Sequence, residues 1–145
     1  MKRLMFSFAF VIGVAAAATP AFAQQSGSLR VEFQGPGGHS SGAYGRVSAL
    51  HAAARTVILI QQGLPAGSYQ ITNLTGGNSV NAIASDGLIE LKLNAANAAA
   101  YKELVDAVTK AAAEGAAAEN AFRGVKPGDL TSGAPATVRS SVKPF

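Results

Sequence analysis

Leu29-Arg30-Val31-Glu32-Phe33 alternates apolar and polar side chains, the period-two signature of a half-buried strand. Gly35-Pro36-Gly37-Gly38 then interrupts any regular element, since these residues punctuate backbone structure. From Arg46 to Gln62 the period lengthens. Val47, Leu50, Ala54, Val57, Ile58 and Gln61 recur at steps of three and four and predict an amphipathic helix. Gly63 stands where a left-handed cap residue is expected, with Pro65 just beyond. Tyr69 to Leu74 alternates again as a second strand, Gly76-Gly77 turns the chain, and Val80 to Ala84 is a short apolar stretch. Asp86-Gly87 has the composition of a hairpin turn leading into a third strand, Leu88 to Leu93. Asn94 or Asn97 can cap a second helix running to about Glu114, with Tyr101, Leu104, Val105, Val108 and Ala112 on its apolar side. Asn120 to Val125 reads as a weak fourth strand.

The order strand, helix, strand, strand, helix, strand predicts an α+β fold. Right-handed crossovers place both helices on one face of a mainly antiparallel sheet of three to four strands. This is a two-layer sandwich of the ferredoxin-like βαββαβ kind. The domain is expected over residues 29–125, after a polar leader at 24–28. The segment 126–145, rich in Pro, Gly, Ser and Thr, is expected to be a loose tail. An exposed sheet edge or a helix would be free to pair with a second copy.

The first residues change the picture of where the chain works. Lys2 and Arg3 precede an apolar run from Leu4 to Ala18, and Ala21-Phe22-Ala23 supplies small residues before Gln24. That order predicts a secretory signal peptide over residues 1–23 and a periplasmic or secreted product with no membrane attachment after cleavage. The run is short of the roughly 20 residues a bilayer span needs, which disfavours the alternative of a retained anchor helix. Loss of Lys2 and Arg3 leaves ten basic residues against eight acids, a formal +2 instead of +4. The remaining Lys and Arg are dispersed without interleaved aromatics, so no nucleic-acid partner is expected. With no cysteine, the fold gains nothing from disulfides in an oxidising compartment.

Three segments in order carry a resemblance. They are Phe33 to Ala52, containing Gly37-Gly38-His39-Ser40; Gly76 to Ile83, containing Asn78-Ser79-Val80-Asn81; and the strand Leu88-Ile89-Glu90-Leu91-Lys92-Leu93. Together they span Leu29 to Lys110 and resemble the lid, or dimerisation, domain of dinuclear-zinc amidohydrolases such as aminoacylase, carnosinase, peptidase T and glutamate carboxypeptidase. The resemblance implies roles for three positions. His39 matches the lid histidine that reaches into the partner subunit's active site and contacts the substrate carbonyl oxygen, a task an imidazole N–H suits. Asn81 matches a substrate-holding asparagine, whose amide both donates and accepts. Lys92 stands where the family carries an arginine that binds a substrate carboxylate. Lysine keeps the charge but loses the two-pronged planar geometry.

The family's catalytic body needs a His-x-Asp, a bridging Asp, a Glu-Glu pair, a further acid and a late His. This chain has two histidines, no His-x-Asp and no Glu-Glu, and its acids are scattered over strands and helix faces. No metal ligand is therefore assigned on this chain; zinc enters only through a partner catalytic domain. The structural alternatives are a surface histidine at 39, a turn-fixing amide at 81 and a solvated strand residue at 92. His51, one turn before Arg55, reads as a boundary or partner-surface residue. Ser40 and Ser41 beside His39 lack the orienting acid of a nucleophile–base pair. Gly35-Pro36-Gly37-Gly38 lacks the Gly-Lys-Ser/Thr of a phosphate loop.

The expectation is a stand-alone lid domain, ending where a full member would return to its catalytic part. It is expected to be non-catalytic alone and to form a homodimer. The rival expectation is a subunit that completes, in trans, the active site of a separately encoded zinc peptidase or amidohydrolase. A small peptide-binding module is a third.

Overall fold

The computed structural model describes residues 23–145. The signal-peptide expectation falls, except for Ala23, outside the described residues.

Strand β1 (Gln25–Gln34) leads through the two-residue β2 (Gly38–His39) into a single turn of helix, α1 (Ser40–Ala43), and then into α2 (Ala49–Gly63). Strand β3 (Tyr69–Thr75), the short β4 (Ala82–Ile83) and β5 (Asp86–Ala95) follow. The long helix α3 (Ala98–Phe122), a small hairpin of β6 (Leu130–Thr131) and β7 (Ala134–Pro135), and β8 (Arg139–Pro144) complete the order. The four long strands form one antiparallel sheet in the order β3-β5-β1-β8. Each helix crosses over from one strand to another that is not its neighbour, so the α+β sandwich with helices on one face is as expected.

Why these residues build two layers is visible in their alternation. Leu29, Val31 and Phe33 of β1 and Ile89, Leu91 and Leu93 of β5 are buried under the helices, while Arg30, Glu32, Glu90 and Lys92 point to the open face. Each fully buried Leu or Ile contributes about 1.5–3 kcal/mol of transfer free energy. The helices meet the sheet and each other through small residues: Ala49, Ala52, Ala53 and Thr56 of α2 against Ala111, Ala112 and Ala116 of α3. At Gly115 a Cβ would collide with the Thr56 hydroxyl and lie 2.9 Å from the Ala52 carbonyl oxygen. Only glycine permits that crossing. Thr56 Oγ1, buried in the same place, donates to the Ala52 carbonyl at 3.0 Å.

Several boundaries differ from expectation. The leader joins the sheet, because Gln25 to Ser28 pair with Lys92 to Ala95. Gly63 is the last residue of α2 without a left-handed φ, and it is Gly67 that turns with φ +83°. Helix α2 starts after Ser48, whose hydroxyl caps the His51 N–H, and Asn97 rather than Asn94 caps α3 at 2.9 Å. Asp86-Gly87 is no hairpin turn but the start of β5, paired with Gln34 and Phe33. Residues 120–125 are the end of α3 and its turn, and the fourth strand lies at 139–144. The tail expected to be loose is held by Asn120, whose carboxamide donates to the Val138 carbonyl at 3.0 Å and accepts its N–H at 2.8 Å. That two-bond clamp imitates a backbone ladder and aligns β8 beside β1.

Candidate functional site

Beyond the Gln34–Asp86 end of the sheet, the chain folds a small corner around His39. Gly37 and Gly38 have φ of +61° and +135°, a backbone few other residues adopt, and a Cβ on Gly38 would sit 2.7 Å from that of Ala43. This turn lets β2 pair with β4, His39 opposite Ala82. The Ser40 N–H donates to the Asn81 carbonyl at 2.8 Å, so the segments carrying His39 and Asn81 are stitched backbone to backbone.

The side chains meet as well. His39 Nε2 lies 3.0 Å from the Asn81 carboxamide, and Nδ1 lies 2.8 Å from Ser41 Oγ. The Ser41 N–H also points to Nδ1, at 3.2 Å, making His39 the cap of α1. Asn81 turns its Nδ2 toward Nε2, and its Oδ1 accepts from Ser79 Oγ. The corner thus presents an exposed imidazole held at Nδ1 by Ser41 and at Nε2 by Asn81. With its proton on Nε2 and that nitrogen released from Asn81, such a ring can donate a hydrogen bond to a developing oxyanion.

Lys92 is not part of this corner. It lies exposed on the open face of the sheet, between Ser28 and Gln70, six residues along β5 from Asp86, or roughly 20 Å of strand. Its neighbours in a shallow depression are Ser26, Gly27, Ser28, Leu93 and Asn94. Arg30 and Glu90 form an ion pair on the same face at 2.7 Å.

A second polar cluster was not foreseen. Glu119 of α3 is fully buried. Its carboxylate accepts the Ser48 N–H at 3.1 Å, Arg55 Nε at 3.1 Å and Arg123 Nε at 3.3 Å, with His51 Nδ1 3.7 Å away. Both guanidinium groups flank the exposed Phe122 ring, at 5.1 and 4.9 Å. The signal existed in the sequence: Leu104, Val108, Ala111, Ala112, Gly115, Ala116 and Glu119 form one continuous buried stripe of α3. An acid on such a stripe requires cationic partners.

Among the described residues no three of His, Cys, Asp and Glu gather as metal ligands. The side-chain partners of His39 are the neutral Ser41 and Asn81, so the donor set at this corner does not fit a dinuclear metal. No described helix is long and apolar enough to cross a membrane.

Residues 24–120 match the family model described as peptidase dimerisation domain. No curated protein matches the chain. Among solved structures, the chain is similar to an aminobenzoyl-glutamate utilization protein from Klebsiella pneumoniae, at 16% identity and a TM-score of 0.63, over 88% of this chain and 31% of that one. It is also similar to a hydantoinase/carbamoylase family amidase from Burkholderia ambifaria, at 20% identity and a TM-score of 0.62, over 86% and 28%. A dinuclear metal binding peptidase of the M20 family from Bacillus subtilis matches at 14% identity and a TM-score of 0.57, over 86% and 26%. The chain therefore spans less than a third of each of these proteins, and the likeness is one of fold.

Proposed function

The chain belongs to the peptidase dimerisation domain family, and from that premise we propose that it acts as an exported lid module that pairs with a second copy of itself and is not catalytic alone. The family match over residues 24–120 carries the reading. The two edges of the sheet support it and favour one of them. Edge strand β8 carries Arg139, Lys143 and Pro144, residues that block strand-to-strand association. Edge strand β3, Tyr69–Thr75, carries no charge, and it exposes Leu74. Pairing of β3 with its copy would continue the sheet across a two-fold axis, the isologous contact most homodimers use. Sedimentation equilibrium of the purified chain tests this: a concentration-dependent dimer is expected, and a strict monomer at high micromolar concentration contradicts it.

The joined His39–Asn81 pair favours a second role, completing in trans the site of a separately encoded zinc hydrolase. Here His39 supplies an N–H to the substrate carbonyl oxygen and Asn81 holds the substrate, while metal and general base come from the partner. Lys92 is assigned no part in that site, given its place on the open sheet face. Co-expression with a neighbouring-gene product bearing His-x-Asp and Glu-Glu tests the role. Hydrolysis of an N-acyl amino acid that depends on this chain should fall by about a hundredfold or more in His39→Ala. Unchanged turnover removes the trans role and leaves the dimer proposal standing.

A further inference from the structure

The described residues carry ten lysines and arginines against eight acids, and the excess is not spread evenly. Where the start of α2 meets the end of α3, Arg46, Arg55, Arg123 and Lys126 gather with two acids, Glu119 and Asp129. The other six cations and six acids balance, and four of each are joined in ion pairs. At the basic end Glu119 binds Arg55 and Arg123 through their Nε atoms, which fixes both side chains. A guanidinium held by one edge keeps its terminal amino groups for another acceptor. The two guanidinium carbons lie 5.1 and 4.9 Å from the centre of the Phe122 ring, hence within about 10 Å of each other. Phe122 itself is 67% exposed, and Ile58, on the same side of α2 as Arg55 and three residues on, is 52% exposed. Two fixed cationic forks therefore stand beside two uncovered apolar side chains.

We infer that this patch docks an acidic segment of another protein, with carboxylates on the Arg55 and Arg123 forks and an apolar residue against Phe122 and Ile58. Charge complementarity decides the partner, since the chain's whole positive excess is collected at this end. Alternate residues of an extended segment lie roughly 7 Å apart on one side, within the limit the two forks set. Guanidinium groups already stacked over Phe122 deny a nucleobase its platform, which sets single-stranded nucleic acid apart. The patch lies on the helical layer and uses neither the His39 corner nor β3, so it stands apart from the function proposed above.

The test is an NMR titration of the purified chain, at physiological ionic strength, with a short peptide bearing glutamates at alternate positions around a central leucine. Parallel arms use the same peptide with serine in place of leucine, and a single-stranded oligonucleotide of equal charge. Saturable shifts are expected at the amides of Arg55, Ile58, Phe122 and Arg123. The leucine peptide should bind about fivefold more tightly than the serine peptide. Phe122→Asp sets a competing carboxylate beside the forks at an exposed position, and should weaken the leucine peptide by about tenfold. Lys110→Ala, whose lysine pairs with Glu114, should leave binding unchanged. The absence of saturable shifts at these residues overturns the surface, as does undiminished binding by Phe122→Asp or an equal loss in Lys110→Ala. The serine peptide or the oligonucleotide binding as tightly as the leucine peptide overturns the partner assigned to it.

Discussion

The Glu119 cluster and the His39–Asn81 corner are both polar constellations beside the start of α2, yet they are built in opposite ways. Glu119 is wholly buried, receives three hydrogen bonds and joins α3 to the first turn of α2. The His39 ring is exposed, and its bonds run to residues of its own corner, Ser41 and Asn81. A buried charge must be fully matched within the chain, so it reports on architecture. An exposed ring bonded only within its own corner leaves little of the fold dependent on it and can be offered to another molecule. Polar clusters of the first kind hold this domain together; the second kind is what it can present.

That contrast can be broken by substitution, and the largest effect is expected at Glu119. Glu119→Ala strands two guanidinium groups and the Ser48 N–H, and should cost about 3 kcal/mol in chemical denaturation. Gly115→Ala forces a methyl into Thr56 at the helix crossing beside it. A loss of about 2 kcal/mol by the same measurement is expected. Asn120→Ala removes both bonds to Val138 and should cost about 1–2 kcal/mol, with faster hydrogen exchange confined to β8. His39→Ala and Lys92→Ala should each stay within about 0.5 kcal/mol of the parent. A His39→Ala loss as large as that of Glu119→Ala would erase the distinction between the two regions.

Much of the sandwich was legible because its strands alternate cleanly. Val31 and Ile89 fall inward and Arg30 and Glu90 outward. The helical spacing announced α2 but not its buried face, which is Ala49, Ala52, Ala53, Thr56 and Ile60, while Ile58 and Gln61 of the expected stripe are exposed. The two glycine-flanked signatures also singled out His39 and Asn81, which the structure brings side by side. What escaped was carried by residues whose local composition points the wrong way. The Pro- and Gly-rich stretch after Val125 reads as loop, and it does turn repeatedly. Nothing local announces that Asn120 clamps Val138 and carries the chain back into the sheet. Gly115 likewise suggests an end to α3, whereas it is the point of closest approach to α2. Lys92 matched a motif in sequence but lies on the open sheet face; spacing along a strand could not show on which side of the domain the corner would close.

Pairing along β3 is the claim on which the lid reading rests, and the absence of cysteine from the chain makes it directly accessible. Single cysteines placed in turn from Gln70 to Thr75, with controls at Ser141 and Lys143 in β8, can be oxidised and scored for disulfide-linked dimers. Residues facing each other across a two-fold strand pair have Cβ atoms about 4.5–5.5 Å apart. One or two β3 positions should therefore cross-link efficiently and the β8 controls should not. Efficient linking through β8, or none along β3 in a chain that sediments as a dimer, would contradict the account.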